Sequence, residues 1–370
     1  MILFNSNIHV VYVMLGDKCN FQCRYCIQGD KCNKSVSLPD GLSPAVIAFL
    51  KNLCASQPIK PILLFYGGEP LIYLDKIKTI MKSVAPHGAR FNMITNGSLI
   101  TDNVIKLFNQ FNACLTVSWD GKASIDTRKV DVFNDVELKT CIFKVNHFGI
   151  NSVISARSYP IQACEDIQVL LNEYREVNPD GEVGLNFDEI IDNNLQDREL
   201  LQFDYDRLEE EIAQIVDKNI EWLLSVKKSY IMGYGGINIP FNDRYAERIF
   251  LYKYLDLIRT YRDTPNAFKY ISPCKDGLCR LGLDMAGNLY SCHDSREIIG
   301  NIKNLDLHTY VANYIKFDNT KELYNTLCKN CKYYPLCHGR CKLLTIEARV
   351  NHTCKFKQAV GRPLFKALEM

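Results

Sequence analysis

Short apolar runs alternate with longer segments of helical periodicity along the first half of the chain. Each run is rich in Val, Ile, Leu, Phe or Tyr, which indicates a buried strand rather than a surface helix. The predicted strands are Val10–Leu15, Ile62–Tyr66, Phe91–Thr95, Cys114–Trp119, Val153–Ala156 and Val183–Phe187. The segments between them predict helices over Pro44–Ser56, Leu74–Ala85, Asp102–Phe111, Asp135–Phe148 and Ile161–Glu176.

This alternation gives about six strand–helix units and therefore predicts an α/β fold. Because crossovers between parallel strands are right-handed, six such units would close into a partial (β/α)6 barrel that resembles a TIM barrel. In barrels of this kind the chemistry lies on the loops that follow the strands. Those loops are where functional residues are expected.

The pattern changes twice further along the chain. Apolar residues recur at helical spacing from Phe203 to Leu224, and Tyr245–Tyr261 predicts a second helix. After Pro273 the periodicity is lost and cysteines become frequent. These changes predict a barrel over residues 1–195, a helical bridge over residues 196–271 and a small cysteine-rich domain over residues 272–370.

Composition and charge exclude several classes of protein. The 44 basic and 42 acidic side chains give a net charge of +2, too weak a field to indicate a nucleic-acid partner. No segment reaches 18 apolar residues, and the first apolar stretch has no basic residue before Lys18, so neither a membrane span nor a signal peptide is predicted. We therefore expect a cytoplasmic protein. In that reducing compartment, the 16 cysteines are better candidates for metal ligands than for disulfides.

Three of these cysteines directly follow the first predicted strand. Cys19, Cys23 and Cys26 form a CxxxCxxC motif. Three thiolates can hold three irons of a cubic [4Fe–4S] cluster and leave the fourth iron open to a small molecule. The alternative is three small apolar residues on one helix face, but the residues between the cysteines are too polar for that role.

With Tyr25 before its third cysteine, this motif resembles the cluster motif of the radical S-adenosylmethionine (SAM) superfamily. Further segments follow successive strands in the order typical of that family. They are Tyr66-Gly67-Gly68-Glu69-Pro70, which resembles the family's GGEP segment at the methionine end of SAM, Thr95-Asn96-Gly97, a common family turn, and Ser118-Trp119-Asp120-Gly121, which matches its S-x-D-G pattern. Two glycines let backbone approach a ligand closely, and the glutamate can accept a hydrogen bond from an ammonium group.

The resemblance implies that SAM binds the open iron and that one electron cleaves it to a 5′-deoxyadenosyl radical, which abstracts hydrogen from a substrate. It further implies an electron donor such as flavodoxin or ferredoxin. Tyr25 is expected near adenine, Ser118 near the ribose or carboxylate, and Arg157 beside the SAM carboxylate unless it is a surface arginine. The predicted SAM-binding residues are Tyr25, Tyr66, Gly67, Gly68, Glu69, Pro70, Asn96, Ser118 and Arg157.

A second array of eight cysteines occupies the C-terminal region. It begins with Cys274, Cys279 and Cys292, continues as CxxCx5Cx3C and ends with a single cysteine, which resembles the SPASM extension of radical SAM enzymes that modify peptides and proteins. The resemblance implies two auxiliary [4Fe–4S] clusters, making three in all. The implied ligands are Cys274, Cys279, Cys292 and Cys341 for one, and Cys328, Cys331, Cys337 and Cys354 for the other. The alternative is a zinc module with four-cysteine sites.

Five cysteines remain without a ligand role. Cys54, Cys114, Cys141 and Cys164 lie within predicted strands or helices, where we expect small buried apolar residues. Cys32 is expected to be an inert loop thiol.

The residues after Cys292 bear on the reaction. Sulfatase-maturating enzymes carry an aspartate immediately after the corresponding cysteine, whereas this chain has His293 and then Asp294. This departure favours a maturase of ribosomally made peptides that forms a thioether, carbon–carbon or ether crosslink, or oxidises a residue. His293 or Asp294 would be the catalytic base, unless the pair only forms a turn.

Two alternatives stay open, namely formylglycine formation of the sulfatase-maturating type and a non-catalytic iron–sulfur or zinc protein. The cluster motif begins at Cys19, which leaves no room before it for the leader-recognition domain that many peptide maturases carry. We therefore expect a precursor peptide to dock on the barrel, the helical bridge or a separate partner.

Overall fold

A computed structural model describes residues 8–27, 38–39, 41–192, 195, 197–232, 237–263, 279–295, 297–306, 309–310, 312–313, 320–339, 341 and 343–370. Its centre is one sheet whose strands stand in the order β6-β5-β4-β3-β2-β1-β7-β8-β9. The first seven strands pair in parallel, and β8 and β9 complete the sheet in antiparallel fashion. The strands are β1 (Val10–Met14), β2 (Ile62–Tyr66), β3 (Arg90–Thr95), β4 (Cys114–Ser118), β5 (His147–Ile154), β6 (Glu182–Glu189), β7 (Arg280–Asp284), β8 (Asn288–Tyr290) and β9 (Ile298–Asn301).

Helices follow the strands as expected for an α/β fold, which confirms the predicted class. They are α1 (Pro44–Ser56), α2 (Leu74–Val84), α3 (Asp102–Gln110), α4 (Ser124–Thr127), α5 (Val136–Ile142), α6 (Pro160–Val177), α7 (Tyr205–Lys218), α8 (Ile220–Val226), α9 (Tyr245–Asp263), α10 (Thr320–Leu323), α11 (Tyr334–Cys337), α12 (Ile346–Ala348) and α13 (Cys354–Leu368). Tighter 3₁₀ turns span Pro70–Tyr73, Ala85–His87, Gly121–Ala123, Val132–Asn134 and Arg198–Leu201, and wider π turns span Lys227–Ile231, Tyr324–Cys328 and Arg349–Thr353.

Alternation along the strands gives the sheet two chemically different faces. The outer face is apolar and packs against the helices in one continuous core, which also takes in α7, α9 and α13. On the inner face, residues in register across neighbouring strands include Tyr12 and Leu64 on one side and Thr116 and Gly149 on the other. The inner face is therefore aromatic and apolar near β1 and mostly polar from β3 to β6.

One predicted helix is wrong over half its length. The pattern favoured a helix over Asp135–Phe148 and a strand from Val153, but α5 ends at Ile142 and β5 begins at His147. Strand geometry prevails because Phe148 and Ile150 alternate into the core against the helices, and pairing with both β4 and β6 satisfies the backbone.

The helical bridge also differs from its prediction. The continuous helix expected to Leu224 is interrupted at Asn219, whose φ of −114° and ψ of 16° are not helical, so α7 and α8 are separate. The second bridge helix, α9, extends to Asp263.

The cysteine-rich region is joined to the barrel by main-chain hydrogen bonds. β7 pairs in parallel with β1 over five residue pairs, from Val10 with Arg280 to Met14 with Asp284. The sequence pattern did not predict these strands. The division at residue 272 stays a prediction, and the sheet runs across it. No helix in the described part of the chain is long and apolar enough to span a membrane.

Candidate active site

The CxxxCxxC motif lies on a loop that leaves the carboxyl end of β1. Cys19 and Cys26 are exposed and Cys23 is half-buried. Burial raises the pKa of the Cys23 thiol to about 12, with the positive charge of Arg128 opposing the rise and the Cys26 and Cys19 thiols adding to it. The three thiols therefore lie within electrostatic reach of one another and of a buried cation.

This donor set fits a cluster with one open iron. Among the described residues, no three His, Cys, Asp or Glu side chains lie at the distances of a single metal ion. A cubic cluster does not require that arrangement, because each thiolate binds a different iron. Two of the three sulfurs are accessible, as a site that accepts a small-molecule ligand needs.

The glycines after β2 let the cluster loop lie directly on the backbone. A Cβ at Gly67 would stand 2.4 Å from the Gly16 carbonyl oxygen, and one at Gly68 would stand 2.3 Å from that of Lys18. The Glu69 N–H donates to the Lys18 carbonyl at 2.8 Å. Gly67 and Gly68 are therefore required by this close approach, whether or not they also contact SAM.

Glu69 is buried, with 1% of its surface exposed, and its carboxylate connects the ends of β2 and β3. It accepts hydrogen bonds from Thr95 Oγ1 at 2.7 Å, the Asn96 N–H at 2.8 Å and the Leu71 N–H at 3.0 Å. Burial raises the pKa of Glu69 above its usual value, and the three hydrogen bonds offset only part of that rise. Pro70 begins the helical turn that Glu69 caps. Contact of Glu69 and Pro70 with SAM stays a prediction.

Two other predicted SAM contacts, Asn96 and Ser118, end neighbouring strands. Asn96 Nδ2 donates to Asn20 Oδ1 of the cluster loop at 2.8 Å, and Asn20 Nδ2 donates to Ser98 Oγ at 2.9 Å. Ser118 lies on the inner face in register with Asn151. Asn96 thus holds the cluster loop, while the role of Ser118 stays a prediction.

Asp120, at the end of β4, is the centre of a buried network with 1% of its surface exposed. Its carboxylate accepts from Tyr25 Oη at 2.5 Å, Thr127 Oγ1 at 2.7 Å and the Val153 N–H at 2.8 Å. Both its oxygens also accept from Arg128, at 3.1 and 3.2 Å. The Arg128 guanidinium lies 5.1 Å from the centre of the Tyr25 ring. Tyr25 is thereby fixed next to Cys26.

Arg128 was not among the site residues predicted from the sequence. Asp120 was predicted only as part of a turn pattern, although a buried carboxylate needs hydrogen-bond donors and is often paired with a cation. Burial disfavours the charged form of Arg128, but the carboxylate of Asp120 prevails and holds its pKa above the usual value. A search for basic residues within one helical turn or two of Asp120 is the signal that would have found it.

Arg24 and Arg157 share one group of carboxylates. Arg24 pairs with Asp126 and Asp197 at 2.5 Å and with Glu199 at 3.2 Å. Arg157 lies 3.4 Å from Asp126 and 3.6 Å from Glu199, and its side chain is 51% exposed. The contact of Arg157 with the SAM carboxylate stays a prediction.

The two cysteine regions approach each other around Tyr66 on the inner face. The His293 ring stacks on Tyr12 with centroids 4.4 Å apart and meets Tyr66 edge-on at 4.7 Å. Burial raises the pKa of Tyr66, and the charges of Asp294 and Cys26 add to this rise. The structure thus brings together His293, Asp294 and Cys26, which the sequence separates by more than 260 residues.

Four C-terminal cysteines form a second electrostatic group. Burial raises the pKa of the Cys328 thiol to about 12, and the charges of Cys337, Cys354 and Cys331 add to the rise. Cys354 shows the same pattern, with a pKa raised to about 11 by burial and then by Cys337 and Cys331. This is the set that the resemblance implied for one auxiliary cluster, and their ligand role stays a prediction.

For the other implied auxiliary set, Cys274 lies outside the described residues. Cys279 directly precedes β7, and its carbonyl accepts a hydrogen bond from the His9 N–H at 2.8 Å. Cys292 follows β8, where the Asp294 N–H donates to its sulfur at 3.2 Å. Cys341 is half-buried.

Arg349 is a second buried arginine that the sequence analysis missed. Only 2% of its surface is exposed. Its guanidinium donates to the carbonyls of Gly339, Leu344 at 3.2 Å and Cys341 at 2.6 Å. Burial lowers the pKa of Arg349, and the nearby cysteines oppose this, with Cys341 first and Cys328 next. Hydrogen bonds to this one side chain therefore hold three backbone positions between Cys337 and Cys354 in place.

The remaining cysteines match their prediction in part. Cys54 and Cys164 are buried as expected. Cys114 and Cys141 are only half-buried, because Cys114 lies on the polar inner face and Cys141 on the surface of α5. Cys32 lies outside the described residues.

Known proteins resemble this chain in sequence and in fold. Residues 13–121 match the family described as the Radical SAM superfamily. The radical SAM cyclopropyl synthase TigE of Paramaledivibacter caminithermalis is 19% identical, over 91% of this chain and 68% of that protein. A serine-type anaerobic sulfatase-maturating enzyme of Klebsiella aerogenes is 25% identical over 32% of this chain and 30% of that protein.

Two solved structures share the fold over most of the chain. The structure of anSMEcpe with bound AdoMet has a TM-score of 0.61 at 17% identity and covers 97% of this chain and 99% of that one. Streptococcus suis SuiB bound to its precursor peptide SuiA has a TM-score of 0.52 at 14% identity and covers 91% of this chain and 72% of that one. With the cluster loop in place at the end of β1, residues 13–121 form a radical SAM domain, and the chain is similar to a radical SAM enzyme over most of its length.

Proposed function

We propose that this enzyme modifies a ribosomally made precursor peptide by abstracting hydrogen from one of its residues, giving a crosslink or an oxidised residue. The observation that carries this proposal is the meeting of the two cysteine regions at Tyr66. His293, next to Cys292, meets the Tyr66 ring edge-on at 4.7 Å, and Cys26 of the cluster loop is close enough for its charge to raise the pKa of Tyr66. A substrate above the inner face would therefore have the site of radical formation on one side and a base on the other.

The similar proteins support a peptide substrate. SuiB is bound to a precursor peptide, and anSMEcpe has been solved with AdoMet and a peptide. TigE is a cyclopropyl synthase, and the enzyme from Klebsiella aerogenes is a sulfatase maturase. A peptide substrate would also fit the inner face of this sheet, whose residues on β5 and β6 include half-buried and exposed polar side chains.

Within this proposal the chain's own residues have distinct tasks. Cys19, Cys23 and Cys26 would hold a [4Fe–4S] cluster, which together with SAM supplies the 5′-deoxyadenosyl radical. The network around Asp120 fixes the loop that carries these thiols. His293 or Asp294 accepts the proton that the substrate loses after hydrogen abstraction. Because His293 stacks on Tyr12, its ring is held in a fixed orientation over the inner face.

The other proposed components follow from the same reading. A donor such as flavodoxin or ferredoxin would supply the electron that cleaves SAM. Two auxiliary [4Fe–4S] clusters on the eight C-terminal cysteines would accept the electron that the substrate loses after hydrogen abstraction. Thiols that must stay reduced suit the cytoplasm, which we propose as the location. The barrel, bridge and cysteine-rich parts at residues 1–195, 196–271 and 272–370 would act as one unit, since one sheet and one core span them.

The test is anaerobic reconstitution followed by co-expression with each short peptide encoded beside the gene. We expect about twelve irons per chain, 5′-deoxyadenosine from SAM under reductant, and a peptide that has lost two hydrogen atoms by mass spectrometry. Zinc in place of iron, without SAM cleavage, would indicate a non-catalytic protein. A formylglycine product from a sulfatase peptide would instead establish the sulfatase-maturating alternative.

A further inference from the structure

A recess interrupts the inner face where two strand glycines stand side by side. Gly149 of β5 and Gly184 of β6 are register partners, and the next inner-face pair along these strands is Asn151 with Asn186. Gly184 and Asn186 are exposed, whereas Asn151 is half-buried. The wall of the cavity therefore lacks two side chains at the level directly below a pair of carboxamides.

The two glycines differ in what their missing side chains leave behind. A Cβ at Gly149 would stand 2.7 Å from Thr116 Oγ1, so a side chain of the neighbouring strand already uses that space. A Cβ at Gly184 would meet nothing closer than the Gly149 Cα at 3.8 Å. Its φ is not in the left-handed region, so the backbone does not require glycine there.

Glycine inside a strand destabilises it by about 0.5–1 kcal/mol relative to alanine. Nothing in the packing or the backbone at Gly184 calls for that loss. Glycine at such a position often marks a place where a ligand or another backbone comes close. The open volume at Gly184 is therefore better explained by an occupant than by the fold.

The chemistry around the recess indicates what that occupant is. Asn186 Nδ2 donates to Asn151 Oδ1 at 2.6 Å, which orients both carboxamides along the wall. A carboxamide offers one acceptor and two donors, so this pair can bind both the C=O and the N–H of a peptide group. Two inner-face carboxylates of β6 flank these levels, and each has a partner: Glu182 lies 2.9 Å from His147 Nδ1, and Asp188 lies 3.7 Å from Lys253. The levels of Gly184 and Asn186 between them carry no charged side chain on β5 or β6.

We propose that Gly184, Asn151 and Asn186 form a subsite for the main chain of the substrate peptide, an inference that rests on the proposed function. The carboxamides bind a peptide group of the substrate, and the missing Gly184 side chain gives the backbone room to reach them. The subsite is independent of the substrate's side chains. It holds the peptide against β5 and β6, several strands away in the sheet from β1 and β2, which carry Tyr12 and Tyr66.

The decisive variant is Gly184→Val, compared with Gly41→Val at an exposed glycine whose Cβ would meet no atom within 4 Å. Valine favours strands, so we expect an unchanged or higher melting temperature. We expect unchanged iron and SAM cleavage without peptide, and peptide modification lowered by about tenfold or more, with KM raised. Asn186→Ala should raise KM by about tenfold at most, with kcat less affected.

The outcomes distinguish failure of the subsite from failure of the proposed function. If the wild type modifies a co-expressed peptide and Gly184→Val modifies it equally well at low peptide concentration, the subsite is overturned while the proposed function stands. If the wild type cleaves SAM but alters no peptide, the proposed function fails and the subsite fails with it. Equal losses in Gly184→Val and Gly41→Val would also overturn the inference, because they would reflect any added side chain.

Discussion

The two cysteine regions differ in how much of each thiol group water can reach. In the loop after β1, Cys19 and Cys26 are exposed and only Cys23 is half-buried. In the C-terminal group, Cys328 is buried, Cys337 and Cys354 are half-buried, and only Cys331 is exposed. The first arrangement suits a centre that must exchange a ligand, and the second suits one that is enclosed by protein. The chain thus carries one exposed and one more deeply buried group of cysteines.

The two regions are also held in place by different means. The first loop is fixed from outside, by side chains at the ends of neighbouring strands such as Asn96 and Asp120. The second is fixed from within, by Arg349 and the backbone carbonyls around it. A loop fixed from outside can adjust to its ligand without unfolding, whereas a group built around a buried cation depends on that cation for its local fold.

Removing the three cysteines of the loop after β1, the open set, tests this comparison most severely. We expect Cys19→Ala, Cys23→Ala and Cys26→Ala together to abolish release of 5′-deoxyadenosine while about eight of about twelve irons remain. Liquid chromatography of the nucleoside and iron analysis of the same sample measure both. Loss of nearly all iron would contradict the independence of the two regions, and persisting SAM cleavage would refute the assignment of the open set.

Replacing Arg349, the buried cation beside the C-terminal cysteine group, should lower the stability of the protein before it affects activity. Arg349→Met removes the donors to three carbonyls in a buried site, and we expect a loss of about 3 kcal/mol in the free energy of unfolding. Iron retained by the C-terminal cysteines should fall, with SAM cleavage less affected. Thermal melting and iron analysis measure this, with Arg362→Met, at an exposed position of α13, as the control. Equal behaviour of the two variants would contradict a special role for Arg349.

Replacing Asp120, which holds Tyr25 and the loop after β1, should have a smaller and more selective effect on activity. Asp120→Asn keeps the shape of the side chain but removes the charge that Arg128 and Tyr25 contact, so Tyr25 and the loop should shift. We expect SAM cleavage to fall by about 10- to 100-fold, as for other residues that orient ligands from behind, with iron content nearly unchanged. Asp102→Asn on the surface of α3 is the control. A variant that loses all its iron would show that Asp120 is needed for assembly rather than orientation.

The ion pairs of Arg24 should matter least. Its partners Asp126, Asp197 and Glu199 are partly exposed, so solvent weakens these attractions. We expect Arg24→Gln to lower SAM cleavage by about two- to fivefold, and less in high salt, where the wild type loses the same attraction. Steady-state rates at two salt concentrations provide the measurement. A loss as large as that of Asp120→Asn would contradict the ranking of buried over exposed tethers.

The sequence predicted those helices and strands whose period and ends are set by neighbouring residues. The spans Pro44–Ser56 and Ile62–Tyr66 agree with the structure residue for residue, since each has a clear period and clear ends. The segment after Ile142 failed because β5 depends on partners on both sides, which no local period reveals. The parallel pairing of β7 with β1 was missed for the same reason.

The candidate site shows the same division. Cysteine spacing and the Gly67-Gly68-Glu69 segment are short-range signals, and they predict a site on the loops that follow β1 and β2. Arg349 carries no such signal, and that of Arg128 is only its place eight residues after Asp120. The importance of both comes from burial beside carboxylate, carbonyl or thiol groups. Likewise, the recess at Gly184 appears only when β5 and β6 are placed in register.

The pairing of β1 with β7 has a consequence for how the protein is made. β1 leaves the ribosome about 270 residues before β7, its partner on one side. Until then, β1 presents an open edge of unpaired main-chain groups, which is a hazard for aggregation. Completion of that edge waits for the segment that contains Cys279 and Cys292. Iron starvation during synthesis would then be expected to reduce the yield of folded chain as well as its activity.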